Sequence, residues 1–282
     1  MGIPFLKGHG TENDFVLLPD LDATLDLTEA RVRALCDRRA GIGADGVLRV
    51  MRAKAVEDRS ADVPDDLWFM DYRNGDGSIA EMCGNGVRVF ARYLVDAGLT
   101  DEREFSIGSR AGVRAVTVGG DAPGDITVGM GRSRVTGTSL ATVGGASVAG
   151  VAVTVGNPHL VCVLEDVDKL ASLDLTVPPR YDPDVFPEGV NIEFVVVEAP
   201  DQIRMRVHER GVGETRSCGT GTVAAVTGVL FGRGENAGAV TVDVPGGRVR
   251  VTVDPDHATL SGPAVFVARG ELDQAWWDGH AE

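Results

Sequence analysis

The chain has 282 residues, enough for one large or two modest domains, and 43% of them are hydrophobic, enough for a buried core. Asp and Glu number 42 against 27 Lys and Arg, so the net charge is −15. A charge of this sign excludes binding to nucleic acid through a general electrostatic surface. No apolar stretch approaches the roughly 18 residues of a membrane span, and the N-terminus lacks the apolar core of a signal peptide. We therefore expect a cytoplasmic protein with no nucleic-acid or membrane partner.

The first half of the chain reads as strands with two helices. LKGHGTENDFVLLPD at 6–20 predicts a strand, a polar loop and a second strand. Thr28 is a preferred N-cap for a helix at 29–38. Residues 53–66 are polar and contain a proline, which predicts a surface loop. The strand LWFMDYR then delivers Asn74 at its end.

The second half is more strongly β. IRMRVHER at 203–210 alternates apolar and polar residues, which predicts a strand with one buried face. TVAAVTGVLF at 222–231 is apolar on every side, which predicts a buried central helix. The Gly- and Pro-rich turn at 119–125 is the best boundary between halves at 1–125 and 126–269.

Two stretches of the sequence repeat one another. Residues 71–86 align without gaps on residues 206–221, so that Cys83 falls on Cys218 and Asn74 on Glu209. Each copy ends in Cys-Gly-x-Gly and runs into an apolar segment of helix length. This repeat predicts two halves of similar build, each with a cysteine at a helix N-terminus and with both thiols facing one cleft.

Such a pair of cysteines has a definite chemistry. The N–H groups and dipole at a helix N-terminus bind anions and lower the pKa of a cysteine thiol placed there. One thiolate could remove an α-proton while the opposite thiol protonates the other face, which inverts a stereocentre without a cofactor. Neither Cys83 nor Cys218 has a Cys-x-x-Cys partner or a nearby Cys/His set, so no metal site is predicted. The alternatives without catalysis are that Cys83 and Cys218 form a disulfide bond, or that they merely lie in Gly-rich turns.

The remaining cysteines and polar residues are less specific. Cys36 and Cys162 lie in apolar patterns and are expected to be buried. His159 could tune a thiol or could be a satisfied core histidine. Glu209-Arg210 places a carboxylate beside a guanidinium, which suits an amino-acid head group. Four asparagines stand at strand ends, where an asparagine is more often a turn residue than a ligand: Asn13, Asn74, Asn157 and Asn191.

Six motifs together give a resemblance that runs nearly end to end. They are KGHGTENDF at 7–15, GIGADG at 41–46, RNGDGSIAEMCGNGVR at 73–88, GNPH at 156–159, NIEF at 191–194 and ERGVGETRSCGTG at 209–221. With these motifs the chain closely resembles the diaminopimelate epimerases, cofactor-independent enzymes of lysine and peptidoglycan biosynthesis. The resemblance implies an α/β (α+β) fold of two pseudo-symmetric domains. Each is a β-barrel-like sheet around a central helix, with the active site in the interdomain cleft and a tail at about 270–282 packed on the first half.

The resemblance also implies roles for individual residues. Cys83 and Cys218 are the acid/base pair, and His159 and Glu209 match positions that set the thiol pKa values. The remaining matches are to substrate-binding positions: Asn13, Asn74, Gly84, Asn85, Asn157, Asn191, Glu209, Arg210, Gly219 and Thr220. One departure is Gly46, where many relatives carry Gln.

Two other readings stay open at this point. A proline or hydroxyproline racemase shares the two-cysteine logic, although a cyclic imino acid has no distal amino-acid group for Glu209-Arg210 to read. A thiol redox or binding protein would cycle Cys83 and Cys218 through a disulfide, although no Cys-x-x-Cys motif supports it. The partner is expected to be a small amino-acid substrate, and a homodimer is a hypothesis that the sequence does not decide.

Overall fold

The computed structural model describes residues 2–119 and 124–281. Its contacts divide the chain into two compact units. Unit 1 comprises the residues up to Val128 together with those from Pro263 onward, and unit 2 comprises Gly129–Gly262. The turn that sequence analysis names as a boundary includes residues 120–123, which lie outside the described residues.

The secondary structure is mostly strand, with few helices. The first elements in chain order are β1 (Ile3–Gly10), β2 (Asn13–Pro19), α1 (Glu29–Cys36), β3 (Gly46–Arg52), a 3-10 turn (Ala53–Ala55), β4 (Trp68–Asn74), α2 (Gly84–Asp96), β5 (Glu104–Ser109), β6 (Gly112–Val118) and β7 (Asp125–Gly131). The later elements are β8 (Arg134–Val143), β9 (Ala146–Thr154), β10 (Pro158–Val163), α3 (Val167–Ser172), β11 (Arg180–Tyr181), β12 (Asn191–Ala199), β13 (Gln202–Glu209), β14 (Gly213–Thr215), α4 (Gly219–Gly232), β15 (Gly238–Val244), β16 (Gly247–Val253), β17 (Ala258–Pro263), β18 (Val265–Leu272) and α5 (Gln274–Asp278). The predicted mixed α/β class is confirmed.

In unit 1, β1 pairs antiparallel with β18 on one side and with β2 on the other. β2 runs parallel to β3, which pairs antiparallel with β4. Phe15, Val16, Leu17 and Leu18 are all fully buried, because α2 packs on this part of the sheet and α1 covers β3. The chain end completes the α1 side, where Trp277 and Leu272 join Val32 and Leu35 in one apolar cluster.

In unit 2, β9 pairs antiparallel with β10, β10 runs parallel to β12, and β12 pairs antiparallel with β13. Helix α4 packs against β8, β9, β10, β12, β13, β15 and β16. Its residues Thr222 to Leu230 are all buried, so the predicted buried central helix is confirmed. No helix within residues 2–119 and 124–281 is long and apolar enough to cross a membrane.

The two units repeat one order of elements. The run β1-β2-β3-β4-α2-β5-β6 has the same antiparallel and parallel pairings as β9-β10-β12-β13-α4-β15-β16. The extra partner of the first strand is also repeated, since β18 pairs with β1 and β8 with β9. The offset that places Cys83 on Cys218 also places β6 on β16 residue for residue.

The structure changes two details of the sequence interpretation. The first helix ends at Cys36, two residues before the predicted end. The segment 53–66 is not simply a surface loop, because Ala53, Val56 and Val63 are buried in an apolar cluster with Phe69. Cys36 and Cys162 are buried as expected, and burial raises the pKa of each thiol to about 12.

Candidate active site

Cys83 is the N-cap residue of α2. Its backbone is extended, with φ −139° and ψ 115°, and the backbone N–H of Gly86 donates to its Sγ at 3.5 Å. A thiol in this position takes over one of the N–H groups that a helix N-terminus leaves without an intrahelical acceptor. Gly84 and Asn85 are buried in the first turn of this helix.

Asn13 links the start of β2 to this helix. Its Oδ1 accepts from Cys83 Sγ at 3.5 Å and from Asn85 Nδ2 at 3.2 Å. Its own amide N–H donates to Asp45 Oδ2 at 2.8 Å, so the oxygen is held toward the thiol. Asn13, Asn85 and Cys83, three residues singled out in the sequence, are therefore brought together in unit 1.

A set of charged residues that the sequence did not single out holds Asn13 in place. Arg38 donates to Asp45 and, with two N–H groups, to Asp14. Burial alone would raise the pKa of Asp14, but hydrogen bonds from Arg38 and Lys7 lower it to about 2. Asp14 is therefore charged at neutral pH, and Asp45, which accepts from Asn13 Nδ2, fixes the orientation of the Asn13 amide.

Arg88 is a buried cation in α2 near Cys83. It is fully buried, donates from Nε to the carbonyl of Pro263 and from Nη2 to Thr11 Oγ1, and its Nη1 has no hydrogen-bond partner. Burial lowers the pKa of Arg88 to about 10, and the charges of a Cys83 thiolate and of Asp125 oppose that change. The sequence signal was an arginine within the apolar run Val87 to Phe90.

Asn74 and Gly46 lie at the ends of neighbouring strands in unit 1. The Asn74 side chain donates to Ser78 Oγ at 3.0 Å. Gly46 pairs with Asn74, and a Cβ added to Gly46 would lie 2.5 Å from the Arg73 carbonyl oxygen. Close backbone packing therefore explains the glycine at this position.

Cys218 is the N-cap residue of α4 and repeats the Cys83 geometry. Its φ is −121° and its ψ is 116°, and the backbone N–H of Gly221 donates to its Sγ at 3.4 Å. The Thr220 hydroxyl lies 3.7 Å from the sulfur, and Gly219 is buried in the first turn. Burial raises the pKa of the Cys218 thiol well above its ordinary value, and the carboxylates of Glu209 and Glu193 raise it further.

Glu209 ends β13 beside this thiol. Burial raises the pKa of its carboxyl group, and hydrogen bonds from Thr215 and Cys218 offset part of that increase. The next residue, Arg210, is exposed; its backbone N–H donates to Asn191 Oδ1 at 2.9 Å and its guanidinium to the Glu188 carbonyl at 2.8 Å. Asn191 in turn donates to the carbonyl of Pro158 at 3.3 Å, which ties the starts of β10 and β12 together.

A hydrogen-bonded chain runs from the core of unit 2 to Cys218. His159 is fully buried, with Nδ1 2.7 Å from Glu193 Oε1 and Nε2 3.0 Å from Asn157 Oδ1. Asn157 Nδ2 donates to Thr220 Oγ1 at 3.3 Å. Sequence analysis missed Glu193. The signal that could have found it was a glutamate inside the otherwise apolar strand Ile192 to Val197.

Within residues 2–119 and 124–281, no group of three or more His, Cys, Asp or Glu side chains is arranged to hold a metal ion. Among the described residues, the cysteines at positions 36, 83, 162 and 218 form no disulfide bond. A cysteine thiol at a helix N-terminus can serve as an acid or a base.

Comparison with known proteins assigns the chain to a family. A family model described as diaminopimelate epimerase matches residues 5–136 and 151–267. A diaminopimelate epimerase from Rhodococcus erythropolis is 58% identical over 283 residues, covering 97% of both chains. One from Mycolicibacterium smegmatis is 56% identical, covering 97% of this chain and 98% of the relative.

Among solved structures, a probable proline racemase from Agrobacterium radiobacter has a TM-score of 0.66 at 15% identity, covering 99% of this chain and 95% of its own. That likeness shows a shared fold only. The sequence matches are far closer and extend along nearly the whole chain, and so the chain belongs to the diaminopimelate epimerase family.

Proposed function

We propose that this protein converts L,L-diaminopimelate to meso-diaminopimelate, with Cys83 and Cys218 as the acid/base pair. The observation that carries the proposal is the repeated N-cap geometry. Each unit places one cysteine at the start of a buried helix, with a backbone N–H aimed at its sulfur. Membership of the family supports the substrate and makes the protein an isomerase acting on a small amino acid.

The reaction needs one thiolate and one thiol at the same α-carbon. The thiolate takes the α-proton, the carbanion forms, and the opposite thiol gives its proton to the other face. The buried guanidinium of Arg88 would stabilise Cys83 when it is a thiolate, and Glu209 favours the thiol form of Cys218 until that thiol gives up its proton. After one turnover the two protonation states are exchanged, and a proton exchange with water or the reverse reaction restores them.

The substrate carboxylate next to the reacting carbon would be held by the N–H groups of the helix N-termini, at Gly84-Asn85 and Gly219-Thr220. The polar array of Asn13, Asn74, Asn157, Asn191, Glu209 and Arg210 would read the distal amino-acid group. Only one of the two identical ends is inverted, and binding of the other end orients it. His159 would act on Cys218 through Asn157 and Thr220.

The test is proton NMR of L,L-diaminopimelate in deuterated water with the reduced protein and no added cofactor. We expect deuterium at one α-carbon together with the meso isomer. Deuterium exchange into L-proline instead would indicate a proline racemase. Exchange into neither amino acid would contradict the acid/base proposal and leave a thiol redox or binding role. Three expectations stay predictions: the reaction needs no cofactor, the protein forms a homodimer, and it lies in the cytoplasm.

A further inference from the structure

The repeat makes Glu193 and His159 stand out. An added Cβ on Gly221, in the first turn of α4, would meet Glu193 Oε1 at 2.7 Å. An added Cβ on the equivalent Gly86, in α2, would meet Leu48 at 3.1 Å and Phe15 at 3.6 Å. Leu48 and Phe15 lie on β3 and β2, and Glu193 and His159 lie on the matching strands β12 and β10. The fold therefore accommodates an apolar pair at these two positions. Packing alone does not explain why unit 2 has the polar pair Glu193 and His159 there.

The hydrogen bonds around His159 and Glu193 show how many protons this pair holds. Asn157 Nδ2 donates to Thr220, so the Asn157 oxygen faces His159 Nε2, and an amide oxygen can only accept. His159 Nε2 therefore carries hydrogen. The 2.7 Å contact between Nδ1 and Glu193 Oε1 then needs a proton of its own, either on the ring or on the carboxyl group. The pair holds one proton more than a neutral histidine with a carboxylate.

Burial favours that proton. Glu193 is fully buried and its Oε2 has no hydrogen-bond partner, which is costly for a charged carboxylate. Burial raises the pKa of Glu193, against the effect of His159. The titratable groups that interact with Glu193 are His159 and Cys162 on β10, Glu209 on β13, and Cys218 at the start of α4.

The protonation state of the pair decides which way the Thr220 hydroxyl points. With the proton present, Thr220 accepts from Asn157 and its hydrogen is available to the Cys218 sulfur, 3.7 Å away. With the proton lost, His159 Nε2 becomes an acceptor, the Asn157 amide turns over, and Thr220 donates to Asn157 instead. The second state also leaves a carboxylate against the helix N-terminus, which opposes a thiolate there.

We propose that Glu193 is a positioning residue that shares one proton with His159 and, through Asn157 and Thr220, keeps the first turn of α4 able to stabilise the Cys218 thiolate. The inference deepens the proposed function and rests on it for the use made of Cys218. Its physical core, the coupling between Glu193 and the thiol, is testable in the absence of substrate.

The experiment compares Glu193→Gln, Glu193→Leu and the double variant Glu193→Leu with His159→Phe, which copies the Leu48 and Phe15 pair of unit 1. The titration of Cys218 is followed through the Cβ resonance of isotope-labelled cysteine, without substrate. We expect its midpoint to stay close to the wild-type value in Glu193→Gln, because the amide donates to Nδ1 and the pair remains neutral. We expect it to rise by about one pH unit in Glu193→Leu, which leaves Nδ1 without a partner and the Thr220 hydroxyl unfixed.

Activity and stability separate positioning from packing. We expect kcat/KM to fall about 10-fold or more in Glu193→Leu, which leaves Nδ1 unpartnered, and to fall less in Glu193→Gln. The double variant should melt at the wild-type temperature or above it, since the buried polar pair becomes apolar, and yet have low kcat/KM.

A Cys218 midpoint that falls in Glu193→Gln would mean that Glu193 is a carboxylate without a shared proton and would overturn the inference. An unchanged midpoint in Glu193→Leu, or wild-type kcat/KM in the double variant, would also overturn it. A shifted titration in a protein that does not exchange diaminopimelate would uphold the coupling and refute the proposed function instead.

Discussion

The N-termini of α2 and α4 have the same backbone and opposite electrostatic surroundings. Both begin at a cysteine whose sulfur accepts an N–H from a glycine three residues on. At α2 the nearby buried charge is the guanidinium of Arg88. At α4 it is the carboxylate of Glu209. A duplicated framework thus supplies equal geometry, and a few side chains beneath each helix supply the inequality that an acid and a base require.

The largest effect should come from removing either thiol. We expect Cys83→Ala and Cys218→Ala each to lower epimerisation by at least about 1,000-fold, because a two-base inversion needs both groups. The measurement is formation of the meso isomer. Near-normal turnover in one variant would mean that the two helix N-termini do not share a reaction. Cys36→Ala, which removes another buried cysteine, is the matched control and should remain active.

The next effect tests the cation of the α2 side. In Arg88→Met we expect the Cys83 thiolate to be destabilised, so that alkylation of Cys83 by iodoacetamide at pH 7.5 slows by about 10-fold. Peptide mass spectrometry gives the rate at each cysteine. Arg92→Met is the matched control, because Arg92 lies one turn further along α2 and pairs with Asp96 near the surface. Equal rates in the two variants would refute the role of Arg88.

The carboxylate side should respond in the opposite direction. Glu209 raises the pKa of Cys218, so Glu209→Gln should lower it by about one unit. The Cβ resonance of labelled Cys218 would then titrate at lower pH. Glu214→Gln removes a carboxylate that pairs with Arg206 on the surface, and it should leave that titration in place. A midpoint that does not move in Glu209→Gln would contradict the assignment.

The smallest effect compares packing under the two helices. Gly221→Ala would push a methyl group onto the buried Glu193 carboxyl group at 2.7 Å, while Gly86→Ala meets Leu48 at 3.1 Å. We expect Gly221→Ala to lower the free energy of unfolding by about 2 kcal/mol. Gly86→Ala should change it by less than about 1 kcal/mol, since the gain in helix propensity offsets the crowding. Denaturant unfolding measures both, and equal losses would refute the difference.

The sequence predicted the two helix starts and the buried face of strand β13. The Cys-Gly-x-Gly repeat located both helix starts, and the periodicity of Ile203, Met205 and Val207 identified a strand whose inner face is buried. The fold class was implied by the resemblance to the diaminopimelate epimerases. Local chemistry dominates these features, because a cap or an alternating strand depends on neighbours in the chain.

The charges around the thiols were not readable in this way. Arg88 lies in an apolar segment of helix length, and its full burial depends on Thr11 and Pro263, far away in the sequence. Glu193 was quoted within a motif but its meeting with His159 follows from the parallel register of β10 and β12. The prediction of a surface loop at 53–66 was wrong in part, because the polar composition hid three apolar residues that pack on the flanking Met51 and Phe69.

The discontinuity of unit 1 has a consequence for synthesis. Strand β1 is paired on one side by β18, which leaves the ribosome only after all of unit 2 has been made. Until then β1 is an open sheet edge, and α1 lacks Trp277, whose carbonyl accepts from Arg31. Unit 2 is continuous in sequence and can complete its own pairings earlier. The half that is translated first is therefore the half that finishes folding last, and a nascent chain exposes an adhesive edge throughout the interval.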